Sequence, residues 1–186
     1  MKSFKEFLNE MPVLGTGLKK DSTIHNDYEK EVHKNEHNEA IKDGRSIKIG
    51  KVGDMHLYKE QQPPLTKDSD TTSIYRLVHP KTKNVHMSLV GDENNGALYI
   101  HKVGKHIKDN TPKAEDFYLS IAHNDKGLNE INSDAVLSPG GLNIWKRIVE
   151  KGNRIGHTFS HKGKNIGIKG VKTNDEFTPF KMKIKR

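Results

Sequence analysis

The most regular alternation and helical spacing in the chain lies between residues 73 and 152. From Ser73 to His79, Ile74, Arg76 and Val78 alternate with Tyr75 and Leu77. Val85, Met87 and Leu89 then alternate with His86, Ser88 and Val90, and Leu98, Ile100 and Lys102 with Tyr99, His101 and Val103. A period of two puts successive side chains on opposite faces of a strand, so these runs predict three strands. The turn-forming stretches 80–84 and 91–96 join them into an antiparallel meander. Upstream, Ile47/Ile49 and Met55/Leu57 flank Gly53-Asp54 and predict a hairpin. The Pro-Pro pair within residues 61–70 marks a loop, since proline cannot join a central strand.

Helical spacing follows. Ala114 or Tyr118, with Phe117 and Ile121, recur at i, i+3/i+4 and predict a helix ending near Asn124. Asn110 or Thr111 would cap it, with Pro112 in its first turn and Glu115 and Asp116 near the positive end of its dipole. Asp125-Lys126-Gly127 turns the chain into a short strand over residues 128–133. Ser138-Pro139 combines an N-cap with a proline at the first helical position and starts a second helix. Leu142, Trp145, Ile148 and Val149 form its buried stripe, and Gly152 is its expected stop. Beyond it come a glycine-rich hairpin around residues 161–165 and a last strand with Phe180, Met182 and Ile184 inward. The whole predicts an α+β fold, a mixed, largely antiparallel sheet flanked by helices.

The N-terminal part is patterned more sparsely. Phe4, Phe7 and Leu8 form one stripe on a short amphipathic helix that Met11-Pro12 stops. A linker follows, and then a charged helix over residues 26–43, capped by Asn26 or Asp27 and ended by Gly44. Its few apolar positions, Tyr28, Val32, Ala40 and Ile41, leave a narrow packing face. The chain thus divides into a tag and linker (1–23), a charged helix (24–44) and one α+β domain (45–186).

Composition narrows the function classes. Only 32% of residues are hydrophobic and the mean hydropathy is −0.84, which implies a small core. Cysteine is absent, which removes thiolate chemistry and disulfides. No apolar run approaches the roughly 20 residues a membrane helix needs, so no membrane partner is expected. The net charge of +8 is uneven: residues 1–145 hold 20 Lys/Arg against 21 Asp/Glu, and residues 146–186 hold 12 against 3. The basic C-terminal part predicts non-specific nucleic-acid contact; a solvated lysine-rich edge that discourages strand pairing fits the same residues. His33-Lys34-Asn35-Glu36-His37 matches the H-x-x-E-H pattern, in which two histidines one helical turn apart share a zinc ion. With 11 histidines in the chain and a helix polar nearly all round, the match is read as coincidence and no metal site is expected.

Two resemblances extend this reading. The first ten residues resemble the N-terminal tags of tailed-bacteriophage proteins, and Leu8-Asn9-Glu10 is similar to the Leu/Ile-x-Glu pattern cut by phage prohead proteases. That resemblance implies a capsid or scaffold partner for residues 1–10 and a location in the virion interior or the host cytoplasm. The order β-β-β-α-β-α over residues 72–152, with its stretch INSDAVLSPGGLNIWKRI, resembles the GNAT acyltransferase fold of phage proteins. It implies an N-acyltransferase using acetyl-CoA or another acyl-CoA. A base and an acid would stand near the splayed fourth and fifth strands of that fold, and the candidates are His101, His106, Tyr118, Asp134 and Ser138. That family rests the CoA diphosphate on backbone N–H groups at an Arg/Gln-x-x-Gly-x-Gly/Ala helix start. Residues 103–114 lack the glycine pair, and Pro112 removes a donor. Val103, Gly104, Lys105, Lys108 and Lys113 are the residues available to hold phosphate. The alternative is a non-enzymatic internal head protein, packaged with DNA and injected to counter host defences.

Overall fold

A computed structural model of the chain describes residues 22–62, 70–107, 112–134, 137–172 and 178–186, with the side chains of its first helix described from Lys30 on. The expected helix over 1–10, the Leu8-Asn9-Glu10 motif, Lys108, Asn110 and Thr111 lie outside these residues. The fold is α+β, as the patterning predicts. Helix α1 (Ser22–Lys42) is followed by strands β1 (Ser46–Val52), β2 (Met55–Gln62), β3 (Thr71–Val78), β4 (Val85–Asn94) and β5 (Ala97–Lys105). Helix α2 (Ala114–Asn124), β6 (Glu130–Asn132) and α3 (Pro139–Arg154) come next, and then β7 (Thr158–His161), β8 (Lys164–Asn165) and β9 (Lys181–Lys183). One mixed sheet runs in the order β1-β2-β3-β4-β5-β6-β9-β7-β8, antiparallel except for the parallel pair β5–β6. Among the described residues no helix is long and apolar enough to cross a membrane.

The hairpin and the meander are one continuous run of five antiparallel strands. Its β4–β5 turn is Asn95-Gly96, both residues at positive φ, the geometry that matches the twist of paired strands. The strand signal of β4 continues to Asn94, so the residues read as a turn at 91–94 are paired. One face of the sheet carries Leu57, Tyr75, Leu77, Met87, Leu89, Leu98, Ile131 and Met182 into the core. Phe117 and Ile121 of α2 and Trp145, Ile148 and Val149 of α3 cover it, and Phe180 stacks on Trp145 at 6.1 Å. Each such side chain contributes on the order of 1.5–3 kcal/mol by leaving water.

The helix ends differ from expectation in three places. The backbone of α1 is helical from Ser22, ahead of the predicted caps; its end at Gly44 is as expected. There the Gly44 N–H bonds Ile41 O and the Arg45 N–H bonds Ala40 O, a Schellman closure. Helix α2 begins after Lys113, an N-cap without a side-chain bond, so Pro112 precedes the helix. Helix α3 starts as predicted, the Gly141 N–H donating to Ser138 Oγ at 3.2 Å, but it passes through Gly152. A Cβ on Gly152 would lie 2.5 Å from the Phe159 ring, so that glycine serves packing. The stop is Gly156 at φ +90, where the His157 N–H reaches Gly152 O.

Helix α1 docks through polar groups. Buried His37 lies edge-on to Tyr58 at 4.6 Å, His33 packs on His106 at 3.9 Å, and among the side chains described for this helix Ala40 is the apolar one that is buried. The two histidines of the H-x-x-E-H stretch therefore go to different neighbours. Beside them, buried Glu60 bridges Arg45 and Arg76. A second buried network ties the strands to the end of α2. Lys59 Nζ lies 2.7 Å from both Glu93 Oε1 and Asp125 Oδ2, and the Tyr75 hydroxyl lies 2.5 Å from Glu93 and 2.7 Å from Asp125.

Candidate functional site

Strands β5 and β6 are held together by three residue pairs: Ala97 with Glu130, Leu98 with Ile131 and Tyr99 with Asn132. There β6 ends. The Ser133 N–H bonds Phe180 O, turning the chain toward β9, while β5 runs on to Lys105. The parallel strands therefore part beyond Tyr99, and the start of α3 lines the far side of the gap. The cleft formed has a volume of about 270 Å³. Ile100, Val103, Leu137, Ile144 and Trp145 supply its apolar lining, and His101, Lys102, Tyr118, Asp134 and Ser138 its polar one.

A bulge in β5 positions the histidine. Gly91 pairs with Ile100 and Val90 with Lys102, leaving His101 as the extra residue. This shifts the alternation, so Ile100 and Val103 both pack against the core; unbroken alternation had put Val103 opposite Ile100. Gly91 permits the close approach, because a Cβ there would lie 2.5 Å from the Tyr99 carbonyl oxygen. His101 reaches back along the bulge to Asp92, Nε2 to Oδ2 at 2.7 Å, and the Thr72 hydroxyl donates to the other carboxylate oxygen at 2.8 Å. Burial would raise the Asp92 pKa, but the bonds from His101 and Thr72 outweigh it and leave the carboxyl below its ordinary value. The carboxylate stays ionised and accepts from Nε2–H, so the free ring nitrogen of His101 is a proton acceptor.

Across the cleft, Tyr118 is buried and sits edge-on to Trp145 at 6.1 Å. Burial, and then the charge of Asp134, push its hydroxyl well above the usual phenol value, so it keeps its proton. Ser138 is engaged as the cap of α3, its Oγ accepting from Gly141.

Of the five residues predicted for proton transfer, His101, Tyr118, Asp134 and Ser138 come together here. His106 does not. Its Nε2 lies 2.7 Å from Ser88 Oγ, its ring packs on His33 of α1, and its pKa is lowered to about 4 by burial and then by His33, Lys102 and Arg76. Of the predicted phosphate residues, Val103 lines the cleft, Gly104 pairs with Ser88 and lies against the His106 ring, and Lys105 and Lys113 are exposed.

No protein-family model, no curated protein and no solved structure matches this chain.

The start of α2 is already occupied. The Asp116 and Phe117 N–H groups bond back to Lys113 O. Glu115, buried, takes Arg147 Nε at 3.0 Å and Lys151 Nζ at 3.4 Å, and Asp116 takes Lys151 at 2.7 Å. Burial would raise the Glu115 pKa, but its own backbone N–H, Arg147 and Lys151 hold it below the ordinary value. Patterning alone misses Asp92, because residues 91–96 read as a turn. The signal that could have found it is the alternation of Leu89, Gly91 and Glu93 against Val90, Asp92 and Asn94.

Proposed function

We propose that this chain is a GNAT-like protein whose β5–β6 cleft binds a small amphiphilic ligand, an acylated amine or short acyl thioester, and does not seat CoA by its diphosphate. The observation that carries the reading is the parting of two parallel strands beside a histidine–carboxylate pair. The element order supports the resemblance, and the split falls where that family splays its strands. His101, held by Asp92 at the exposed rim of the cleft, offers a proton acceptor to the ligand's N–H, and the neutral Tyr118 hydroxyl is the donor inside it. The apolar side chains shield an acyl group, and the polar ones meet its nitrogen or carbonyl.

The residues present do not fit the diphosphate. The cleft lies just under the roughly 300–1,000 Å³ of sites that bury drug-sized ligands, so it admits only one end of a long cofactor. At the start of α2 a diphosphate would meet two carboxylates, with the Asp116 and Phe117 N–H groups already committed. Those carboxylates equally favour the second reading. A phage head protein packaged through residues 1–10 and injected with DNA requires no acyl donor.

Calorimetry with acetyl-CoA checks the proposal. No heat of binding is expected up to about 1 mM, the weak end of measurable affinity. Salt-sensitive binding tighter than about 100 μM would overturn it, because such affinity requires a diphosphate seat.

A further inference from the structure

A second cleft, of about 440 Å³, lies between the β1–β2 and β3–β4 turns, which adjoin because β2 pairs with β3. Lys51, His56, His79 and Lys81 line it, with Asp54 as its one carboxylate. Lys48 stands beside it, its Nζ 3.2 Å from His56 Nε2. Lys83, on the second turn, is held at φ +61, in the left-handed region that lysine rarely adopts. Among the described residues, none of these four lysines forms an ion pair.

The histidines are arranged as donors. His79 Nδ1 accepts the N–H groups of Lys81 and Thr82 at 3.3 and 3.2 Å, so its ring hydrogen sits on Nε2. The Lys48 ammonium donates to His56 Nε2, leaving the hydrogen of that ring on Nδ1. Ammonium groups crowded around a concavity with one carboxylate repel one another, and an oxyanion there relieves the repulsion while accepting several charge-assisted bonds.

We propose that this cleft is a phosphate-binding site, with Lys51 and Lys81 as its cations and His56 and His79 as its hydrogen-bond donors. The site is separate from the β5–β6 cleft and independent of the GNAT-like reading. It also offers a second place for the polyanion contact expected of the C-terminal part. In the basic C-terminal part Arg147, Lys151, Arg154 and Lys181 are in ion pairs, and Arg186 bonds the carbonyls of Asp125 and Leu128. Binding is coupled to protons as well. Burial, then Lys48, Lys51 and Lys83, hold His56 below its ordinary value, and a bound phosphate reverses that field. A bound phosphate therefore favours the protonated ring, and the His56 contribution to affinity grows as pH falls through the imidazole range.

The test titrates the full chain with inorganic pyrophosphate and, separately, with a short DNA duplex at low salt. The same titrations are run on Lys51→Ala/Lys81→Ala and on a control, Lys164→Ala/Lys169→Ala. At least about a tenfold loss of affinity is expected in the first variant and none in the control. Binding of pyrophosphate supports a free phosphorylated ligand, and binding of duplex alone supports a nucleic-acid backbone. Both substitutions of the first variant lie on exposed residues, Lys51 near the end of β1 and Lys81 on the β3–β4 turn, and an unchanged melting temperature verifies its fold. Absence of binding by both probes, or equal loss in the control, overturns the site.

Discussion

Lys59 illustrates how much one residue can carry in this fold. It is buried between Glu93 and Asp125, which also share the Tyr75 hydroxyl. Burial alone would raise the Asp125 carboxyl, yet the bonds from Lys59 and Tyr75 hold it below its ordinary value, so the charge is retained inside the protein. Removing one partner of a buried pair leaves the others uncompensated, which costs about 3–5 kcal/mol. Lys59→Met is therefore expected to lower urea stability by that amount, and a loss under about 1 kcal/mol, the scale of an exposed pair, would contradict the account. Nothing in the chain announces this network, because Lys59, Glu93 and Asp125 stand on separate elements and each reads as an ordinary surface charge. The same holds for Asp92. His101 was recognisable as a candidate from its strand, but its partner depended on a bulge that alternation alone does not reveal.

At the scale of elements, apolar spacing was a good guide wherever burial of apolar side chains drives packing. Ser138-Pro139 and the stripe ending in Ile148 and Val149 define α3 because capping and core contact act on the same helix. Helix α1 was readable as a helix but not as a docked one, since its contacts are made by His33 and His37. That choice has a consequence in pH. His37 is held to about 4 by burial and then by Arg76, and His106 to about 4 by burial and then by His33, Lys102 and Arg76. Unfolded, each titrates near about 6.5, so between those values the unfolded chain binds protons that the folded chain does not. Stability is therefore complete above about pH 6.5 and is lost as pH falls toward about 4. For His37 the contribution is roughly 3 kcal/mol, and it is smaller for the partly exposed His106. Chemical denaturation across pH 4–7 should show this fall, and His37→Leu should flatten it. A wild-type profile that is level through the window would contradict neutral docking of α1.

At the scale of the whole molecule, the sheet order was the least legible feature. The last strand, β9, inserts between β6 and β7, where short-range patterning has no say. That insertion closes the sheet beside the split, since Ser133 bonds to Phe180 instead of continuing along β5. Charge follows the same logic. The C-terminal excess is visible in composition, whereas the lysines beside the two adjoining turns are gathered only by strand pairing. The central claim is that the parted strands form a ligand cleft, and the molecule carries its own reporter. Trp145, the one tryptophan of the chain, lines that cleft. Its fluorescence should change saturably on titration with acetyl-pantetheine, a short acyl thioester without a nucleotide, and His101→Ala should weaken the response several-fold. An unresponsive Trp145 up to about 10 mM acetyl-pantetheine, weaker than any specific site of this size, would contradict the account.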